Sequence, residues 1–402
     1  MDDQQPIDCD KRLHVMFVLT SMPVGGAETL LVNLVRGLDA NRFAPEIACL
    51  KEPGPLGEML AREMPVHSKL LSNKYDLRVL PRLCRLLRRR KTDALVTIGA
   101  GDKMFWGRLA AKLARLPVVV SALHSTGWPD SIGRLNRLLT PWTDAFIGVA
   151  DAHAAHLADQ EGFPSAKVHT IYNGVDTSRF APGDGLNKRH ELGIPADAPT
   201  LGILAALRPE KNHELFLAGA AQIHRQLPNS RFIIIGDGPQ RNQLQQLAHE
   251  LGIGDVTHFL GPRQDVPEVL RALNVLALTS HNEANPVSIL EALSSEVPVV
   301  AADVGSVAET VLPNRTGQLF PAGDLDSFVA HCTELLRNPA LQTRMGKEGR
   351  RLVVEQWSLA AMVNGYETLI QELYTKKLQT ARLWPPKLSG GRFGSATASS
   401  TT

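Results

Sequence analysis

Four cysteines in 402 residues (Cys9, Cys49, Cys84 and Cys332) form no C-x-x-C pair. Their wide spacing excludes a zinc cluster and argues against a disulfide framework, so a reducing compartment is expected. No stretch approaches the ~18 consecutive apolar residues of a membrane span. Residues Met1 to Asp10 are acidic and polar and lack the basic-then-apolar pattern of a secretory signal. A cytoplasmic location is expected, with peripheral contact to a membrane left open. Net charge is scarce, at +2 overall. That excludes a globally basic protein built to coat nucleic acid, and no nucleic-acid partner is expected. A G-x-G-x-x-G fingerprint is also missing after the first apolar run, which argues against a nicotinamide dehydrogenase.

What is present is a globular composition, 44% hydrophobic and 21% charged, in a chain too long for one ordinary core. Domains usually hold roughly 100–200 residues, so two are expected. Short apolar runs alternate with helical patterns throughout. In the first half they are Leu13–Leu19, Glu46–Leu50, Ala94–Ile98, Val118–Leu123, Ala145–Val149 and Val168–Tyr172. In the second half they are Leu201–Leu207, Phe232–Ile235, Val256–Leu260, Val275–Thr279, Pro298–Ala302 and Gln318–Phe320. Runs this short and this rich in Val and Ile read as buried parallel strands in βαβ units, about six per half. The turn Asn173-Gly174-Val175-Asp176 marks the boundary, and Ala181 to Gly185 reads as an exposed linker. Trp357 to Leu378 carries helical periodicity, and the Pro, Gly, Ser and Thr-rich end from Trp384 reads as disordered. Two doubly wound α/β domains facing across a cleft place ligands outside the carboxyl ends of the strands.

Four clusters lie at such strand ends. The first runs from Ser280 through Glu283 and Pro286 to Glu291. Pro286 suits the first turn of a helix. If both glutamates were helical they would stand roughly 12 Å apart along the axis and 80° around it. A loop position for Glu283 removes that constraint and brings it to the cleft mouth. The helix start offers free N–H groups suited to a diphosphate, and the two carboxylates can accept bonds from sugar hydroxyls. The bland alternative makes Glu283 a solvated loop residue and Glu291 a surface one. The second cluster is Arg208-Pro209-Glu210-Lys211-Asn212-His213, whose two cations can converge on one anion. The alternative is two exposed cations on a loop. The third is Gly25-Gly26-Ala27-Glu28, where glycine admits close approach of backbone to a ligand, with Gly236-Asp237-Gly238-Pro239 a similar tight turn. The fourth is His124, able to donate into the cleft, although a lone histidine is more often structural.

Two other signals carry less. Asp324-Leu325-Asp326 matches a metal-binding aspartate pair in form, but helix capping is the simpler reading, and Asp8 and Asp10 lie at a terminus. No metal site is expected. The basic stretch Arg82 through Lys91, with leucines interleaved, is a solvated helix face or an anchor on an anionic membrane.

The order of these motifs resembles the retaining GT-B glycosyltransferases called group 1, family four of the retaining enzymes, from about Leu13 to Ile370. The matching residues are Gly25-Gly26-Ala27-Glu28, then Tyr172 to Asp176 with Arg179-Phe180, Arg208 with Lys211, and Ile235 to Pro239. Glu283 with Glu291, then Gly305, Glu309 and Thr316-Gly317, complete the series. The resemblance implies an N-terminal Rossmann-like acceptor-side domain over 1–178, with 360–380 packing back on it. It implies a nucleotide-sugar domain over 179–359 and leaves a tail over 383–402. It implies transfer of a hexose-type sugar from a nucleotide diphosphate sugar, with UDP as the base of first expectation, to a glycan or lipid-linked acceptor. Configuration would be retained, with no metal and no cofactor.

The resemblance also implies roles. Arg208 and Lys211 would hold the diphosphate, Glu291 the ribose and Glu283 the transferred sugar. Gly26 would meet the diphosphate, His124 would face the sugar, and the loop with Arg263 would meet the base. Gly236, Asn285, Val287 and Ser288 would complete the donor site.

There are departures from the family pattern. Ala284-Asn285 stand where Gly and an aromatic are frequent, which puts the sugar in doubt. Glu296 stands for Gly, Ala150 for Ser, and Ser306 for a second Gly. A nucleotide-sugar epimerase or a phosphorylase on the same fold, or a degenerate nucleotide-sugar binder, remain the alternatives.

Overall fold

The computed structural model describes residues 11–73, 76–124 and 132–383. Asp8, Cys9, Asp10 and the expected tail beyond Leu383 lie outside the described residues.

Two parallel sheets organise the chain. The first holds seven strands: β1 (Leu13–Leu19), β2 (Phe43–Cys49), β3 (Val66–His67), β4 (Ala94–Ile98), β5 (Val118–Ala122), β6 (Ala145–Gly148) and β7 (Val168–Thr170). The second holds six: β8 (Thr200–Leu204), β9 (Arg231–Ile235), β10 (Thr257–Gly261), β11 (Val275–Leu278), β12 (Val299–Ala302) and β13 (Gly317–Phe320). The central strands β4 and β5 are buried at every position, because helices cover both faces; that is why they read as unbroken apolar runs. The expectation of about six strands per half misses β3. This half-buried edge strand is two residues long, too short to carry a period.

The strand orders are β3-β2-β1-β4-β5-β6-β7 and β10-β9-β8-β11-β12-β13. Each reverses direction once, between β1 and β4 and between β8 and β11. A parallel sheet opens a crevice at such a reversal, because consecutive helices leave on opposite faces. The Gly25-Gly26 turn follows β1. The Arg208–Lys211 turn follows β8, and the Ser280–Glu283 loop follows β11.

Among the described residues the chain crosses between the domains twice, side by side. Val175 N–H donates to Trp357 O at 3.0 Å, and Leu359 N–H donates to Val175 O at 2.8 Å. Gly174 is required at this crossing, since a Cβ there would lie 2.6 Å from Ser358 O. The last helix starts at Leu359 rather than at Trp357. Trp357 instead packs with Val175 and Phe180 in a core of the second domain. Beyond the crossing, Met362, Tyr366, Leu369, Ile370 and Tyr374 form one helical stripe buried in the first domain.

Glu296 stands in the left-handed region, at φ +61°, where glycine costs least. The turn is locked from behind by the helix Pro339–Gln356, whose Gly346 would bring a Cβ within 2.0 Å of Glu296 O. The glycine-type turn is therefore kept without the glycine. Glu296→Gly should stabilise the protein by about 1 kcal/mol, read as a higher midpoint in chemical denaturation. A lower midpoint would show that the side chain contributes more than the backbone strain.

Candidate active site

The turns after β8 and β11 are bound to one another. Thr279 Oγ1 donates to the carbonyls of Lys211 and Asn212, at 3.0 and 2.9 Å, and His281 N–H donates to Glu210 O at 2.9 Å. These bonds bring the Lys211 ammonium to the Glu283 carboxylate. Nζ lies 2.6 Å from Oε1, and the Ser280 hydroxyl donates to that same oxygen at 2.6 Å. The Glu283 side chain is only 10% exposed. It precedes the helix Val287–Ser294, in a loop, as the spacing argument required.

Three successive carbonyls of this loop are each held by another part of the chain. Gly305, at φ +56°, lies so close to Glu283 O that a Cβ would come within 1.7 Å of it. The Ser306 hydroxyl donates to Ala284 O. Asn173, from the segment joining the domains, donates through Nδ2 to Asn285 O at 2.9 Å. The departure at Ser306 thus adds a hydrogen bond that a second glycine could not make. The Asn285 amide is buried, and neither its nitrogen nor its oxygen has a partner among the described residues.

Pro286 stands at the cap of the following helix, one position ahead of the first turn. Val287 is partly buried against the first domain's core, and Ser288 lies in the first turn, where N–H groups lack helical partners. One turn further, Glu291 is partly buried. Burial pushes its carboxyl up to about 7, against the opposing charge of Arg179.

Arg208 is set apart from this group. Its side chain is 63% exposed and its nearest carboxylate is Glu210, at 4.0 Å. Its backbone belongs to the same turn, with Lys211 N–H donating to Arg208 O at 3.0 Å. Arg263 follows β10, two strands from β8, and its guanidinium is committed to Asp265 and Glu191. Gly236, at φ +138°, has a structural cause. A Cβ there would meet Ala205 O at 2.1 Å, and its N–H donates to Gly261 O.

On the first domain, Gly26 opens the helix Gly26–Gly37, and a Cβ on it would meet nothing within 4 Å. His124 lies just past β5. Burial, then the neighbouring charges of His153 and Lys103, depress its pKa to about 4, so its imidazole is neutral at neutral pH. Asp324 caps the helix Leu325–Arg337 by accepting from Ser327 N–H at 3.1 Å. Among the described residues no group of three or more acidic, His or Cys side chains could hold a metal, and no helix is long and apolar enough to cross a membrane.

Motif reading left Ser280, Asn173 and Arg179 without roles. Ser280, three residues ahead of Glu283, is a spacing that could have drawn attention to it. The contact of Asn173 with Asn285 joins segments 112 residues apart and has no sequence signal.

Residues 186–352 match the family described as "Glycosyl transferases group 1", and residues 24–179 match "Glycosyltransferase Family 4". The chain is 27% identical over 375 residues to the UDP-Gal:alpha-D-GlcNAc-diphosphoundecaprenol alpha-1,3-galactosyltransferase of Escherichia coli, covering 89% of this chain and 96% of that one. It is 27% identical over 296 residues to a GDP-mannose-dependent alpha-(1-6)-phosphatidylinositol monomannoside mannosyltransferase of Mycolicibacterium smegmatis, covering 69% and 76%. Among solved structures, Anabaena HepE in complex with UDP and glucose superposes with a TM-score of 0.77 at 20% identity, over 92% of this chain and all of that one. The lipopolysaccharide-biosynthesis glycosyltransferase WaaG superposes at 0.70 and 15% identity, over 89% of this chain and 99% of that one.

The raised pKa of Glu291 has a stability signature. Below about pH 4.5 the carboxyl is protonated folded and unfolded alike and contributes nothing. Above pH 7 the folded state holds it ionised at a cost, so its contribution lowers stability as pH rises through that window. Glu291→Gln should therefore raise Tm at pH 8 and leave it nearly unchanged at pH 4.5. Equal Tm values for the two proteins at pH 8 would show that the carboxyl is not strained.

Proposed function

The chain belongs to the group 1 glycosyltransferases with the GT-B fold, and from that premise we propose that it moves a hexose-type sugar from a UDP-sugar to a glycan or lipid-linked glycan acceptor, with retention of configuration. The observation that carries this reading is the Lys211–Glu283 pair at the reversal of the second sheet, 2.6 Å apart, with Glu291 on the helix that follows. A diphosphate needs the cation and a sugar hydroxyl needs the carboxylate. UDP is favoured by the E. coli relative, aligned over nearly its whole length, and by the UDP complex of HepE. The mannosyltransferase relative, by its name, uses GDP-mannose, which makes GDP the competing base.

In this reading Lys211 and the N–H groups of Val287 and Ser288 meet the diphosphate. Arg208, whose side chain is 63% exposed with its nearest carboxylate 4.0 Å away, turns inward to join them as charge develops on the leaving group. Glu283 accepts from a hydroxyl of the transferred sugar and Glu291 from the ribose. The Arg263 loop faces the base, with the guanidinium itself tied to Asp265. Gly26 admits the first domain's backbone to the diphosphate, and neutral His124 hydrogen-bonds the sugar from the opposite wall. Asn285 replaces the frequent aromatic, so its amide bears on sugar choice.

The anomeric C–O bond breaks with its electron pair going to the diphosphate. The acceptor oxygen bonds to the same face, and its proton passes to a diphosphate oxygen. The transition state is oxocarbenium-like, and no protein nucleophile is needed. The charge that a metal offsets elsewhere falls to Arg208, Lys211 and the helix start.

The acceptor belongs to the first domain. There the helix Val79–Arg89 buries Leu83, Cys84 and Leu87 and exposes Arg85, Arg88 and Arg89, continuing to Arg90 and Lys91. That face suits peripheral contact with an anionic membrane on the cytoplasmic side, where a lipid-linked acceptor would lie.

Arg208→Ala and Lys211→Ala should each lower transfer about 10²–10³-fold, measured as product formed from a UDP-sugar panel. The anomeric coupling of the product, read by proton NMR, should match that of the donor. Unchanged turnover in both variants, or an inverted product, would overturn the reading.

A further inference from the structure

The helix Asp151–Asp159 of the first domain begins without a capping side chain of its own. Its cap position is Ala150, extended at φ −161°, where Ser, Thr, Asp or Asn ordinarily supplies an oxygen. The oxygens come instead from the second domain. Glu309, on the short helix Val307–Thr310, accepts from Asp151 N–H at 3.0 Å through Oε2 and from Ala152 N–H at 2.6 Å through Oε1. The Tyr172 hydroxyl donates to Oε2 at 2.8 Å. One carboxylate therefore gathers three donors. Two lie at the positive end of a helix in the opposite domain, and one lies on the segment joining the domains. Charge-assisted bonds at a helix start are favourable in both hydrogen bonding and dipole. Burial, and then Glu309 itself, raise the pKa of Tyr172, which keeps its hydroxyl a donor.

The turn that carries Glu309 also holds the donor loop. Gly305 abuts Glu283 O and Ser306 bonds Ala284 O, so three residues separate the contact on Glu283 from the contact with the first domain. The donor-binding groups Lys211, Glu283 and Glu291 sit on the second domain. His124 sits on the first. The width of the cleft therefore decides whether the two sets act together.

We propose that Glu309 is a positioning residue that sets the width of the cleft, by capping a helix of the first domain from the second. The proposal rests on the reading of the cleft as the transfer site. It explains why Ala150 is tolerated where a serine is usual: the missing cap is supplied across the cleft. It also separates two roles that a simple deletion would confound, because Ala150→Ser returns a cap to the helix without rejoining the domains.

The experiment compares wild type, Glu309→Ala and the double variant Ala150→Ser with Glu309→Ala. The readouts are thermal denaturation, small-angle X-ray scattering, calorimetric titration with UDP, and turnover. Turnover is read as UDP released from whichever of UDP-glucose, UDP-galactose and UDP-N-acetylglucosamine wild type uses fastest. Glu309→Ala should bind UDP within about twofold of wild type, show a larger radius of gyration, and lose turnover about 10–100-fold through kcat. The double variant should regain Tm while its radius and turnover stay altered. An unchanged radius in Glu309→Ala, or turnover restored together with Tm by Ala150→Ser, would overturn the proposal and leave Glu309 a helix cap alone. If wild type neither binds UDP nor turns over any donor, the functional reading fails by itself, and the scattering comparison alone decides the role of Glu309.

Discussion

The ion pair between Lys211 and Glu283 depends on two turns being pinned together at the reversal of one sheet. Neither side chain is placed by its own element alone. Lys211 belongs to the turn after β8 and Glu283 to the loop after β11, and the Thr279 hydroxyl and the His281 amide tie the two. A pair with one partner 10% exposed and the other 24% is costly to separate from water, and it persists because the Ser280 hydroxyl shares the carboxylate. A diphosphate in this crevice would find the ammonium already oriented, and a sugar hydroxyl would find the carboxylate. Preorganisation of this kind is what electrostatic catalysis requires, since the groups need no rearrangement as charge develops.

The same loop joins local chemistry to domain arrangement. Its carbonyls are held by Gly305, Ser306 and Asn173, and the last of these belongs to the segment linking the domains. The two chain crossings meet at Val175 and Ser358, with Gly174 between them. A movement of one domain on the other must act on this crossing and on the Glu309 contact. Both lie within a few residues of Asn173 or Ser306, which contact the donor loop, so cleft geometry and site geometry are coupled through short, named segments.

Much of this was legible in the sequence. Among the described residues, apolar runs located twelve of the thirteen strands, because buried parallel strands leave unbroken Val and Ile runs. The exception, Val66–His67, is a half-buried edge. The placement of Glu283 ahead of its helix followed from Pro286. Loss of the usual glycine at Glu296 pointed to an altered turn, yet the left-handed backbone is kept. The last helix was expected from Trp357 and starts at Leu359, because helical periodicity runs through the crossing without a break in composition. What the sequence could not show was pairing over distance. Examples are Asn173 with Asn285, Glu309 with Ala150's helix, and Arg263 with Glu191. Each joins or occupies residues whose local pattern is silent about partners. Arg208 was expected beside Lys211, yet its side chain lies outward near Glu210.

The central claim is that Lys211 and Glu283 divide one donor between them, the ammonium taking the diphosphate and the carboxylate the sugar. Calorimetric titration of Glu283→Gln with UDP and with UDP-galactose tests it directly. Removing the carboxylate frees the ammonium, so UDP should bind at least as tightly as to wild type while the sugar nucleotide loses its advantage over UDP. Equal weakening of both ligands, or no change in either, would contradict the account.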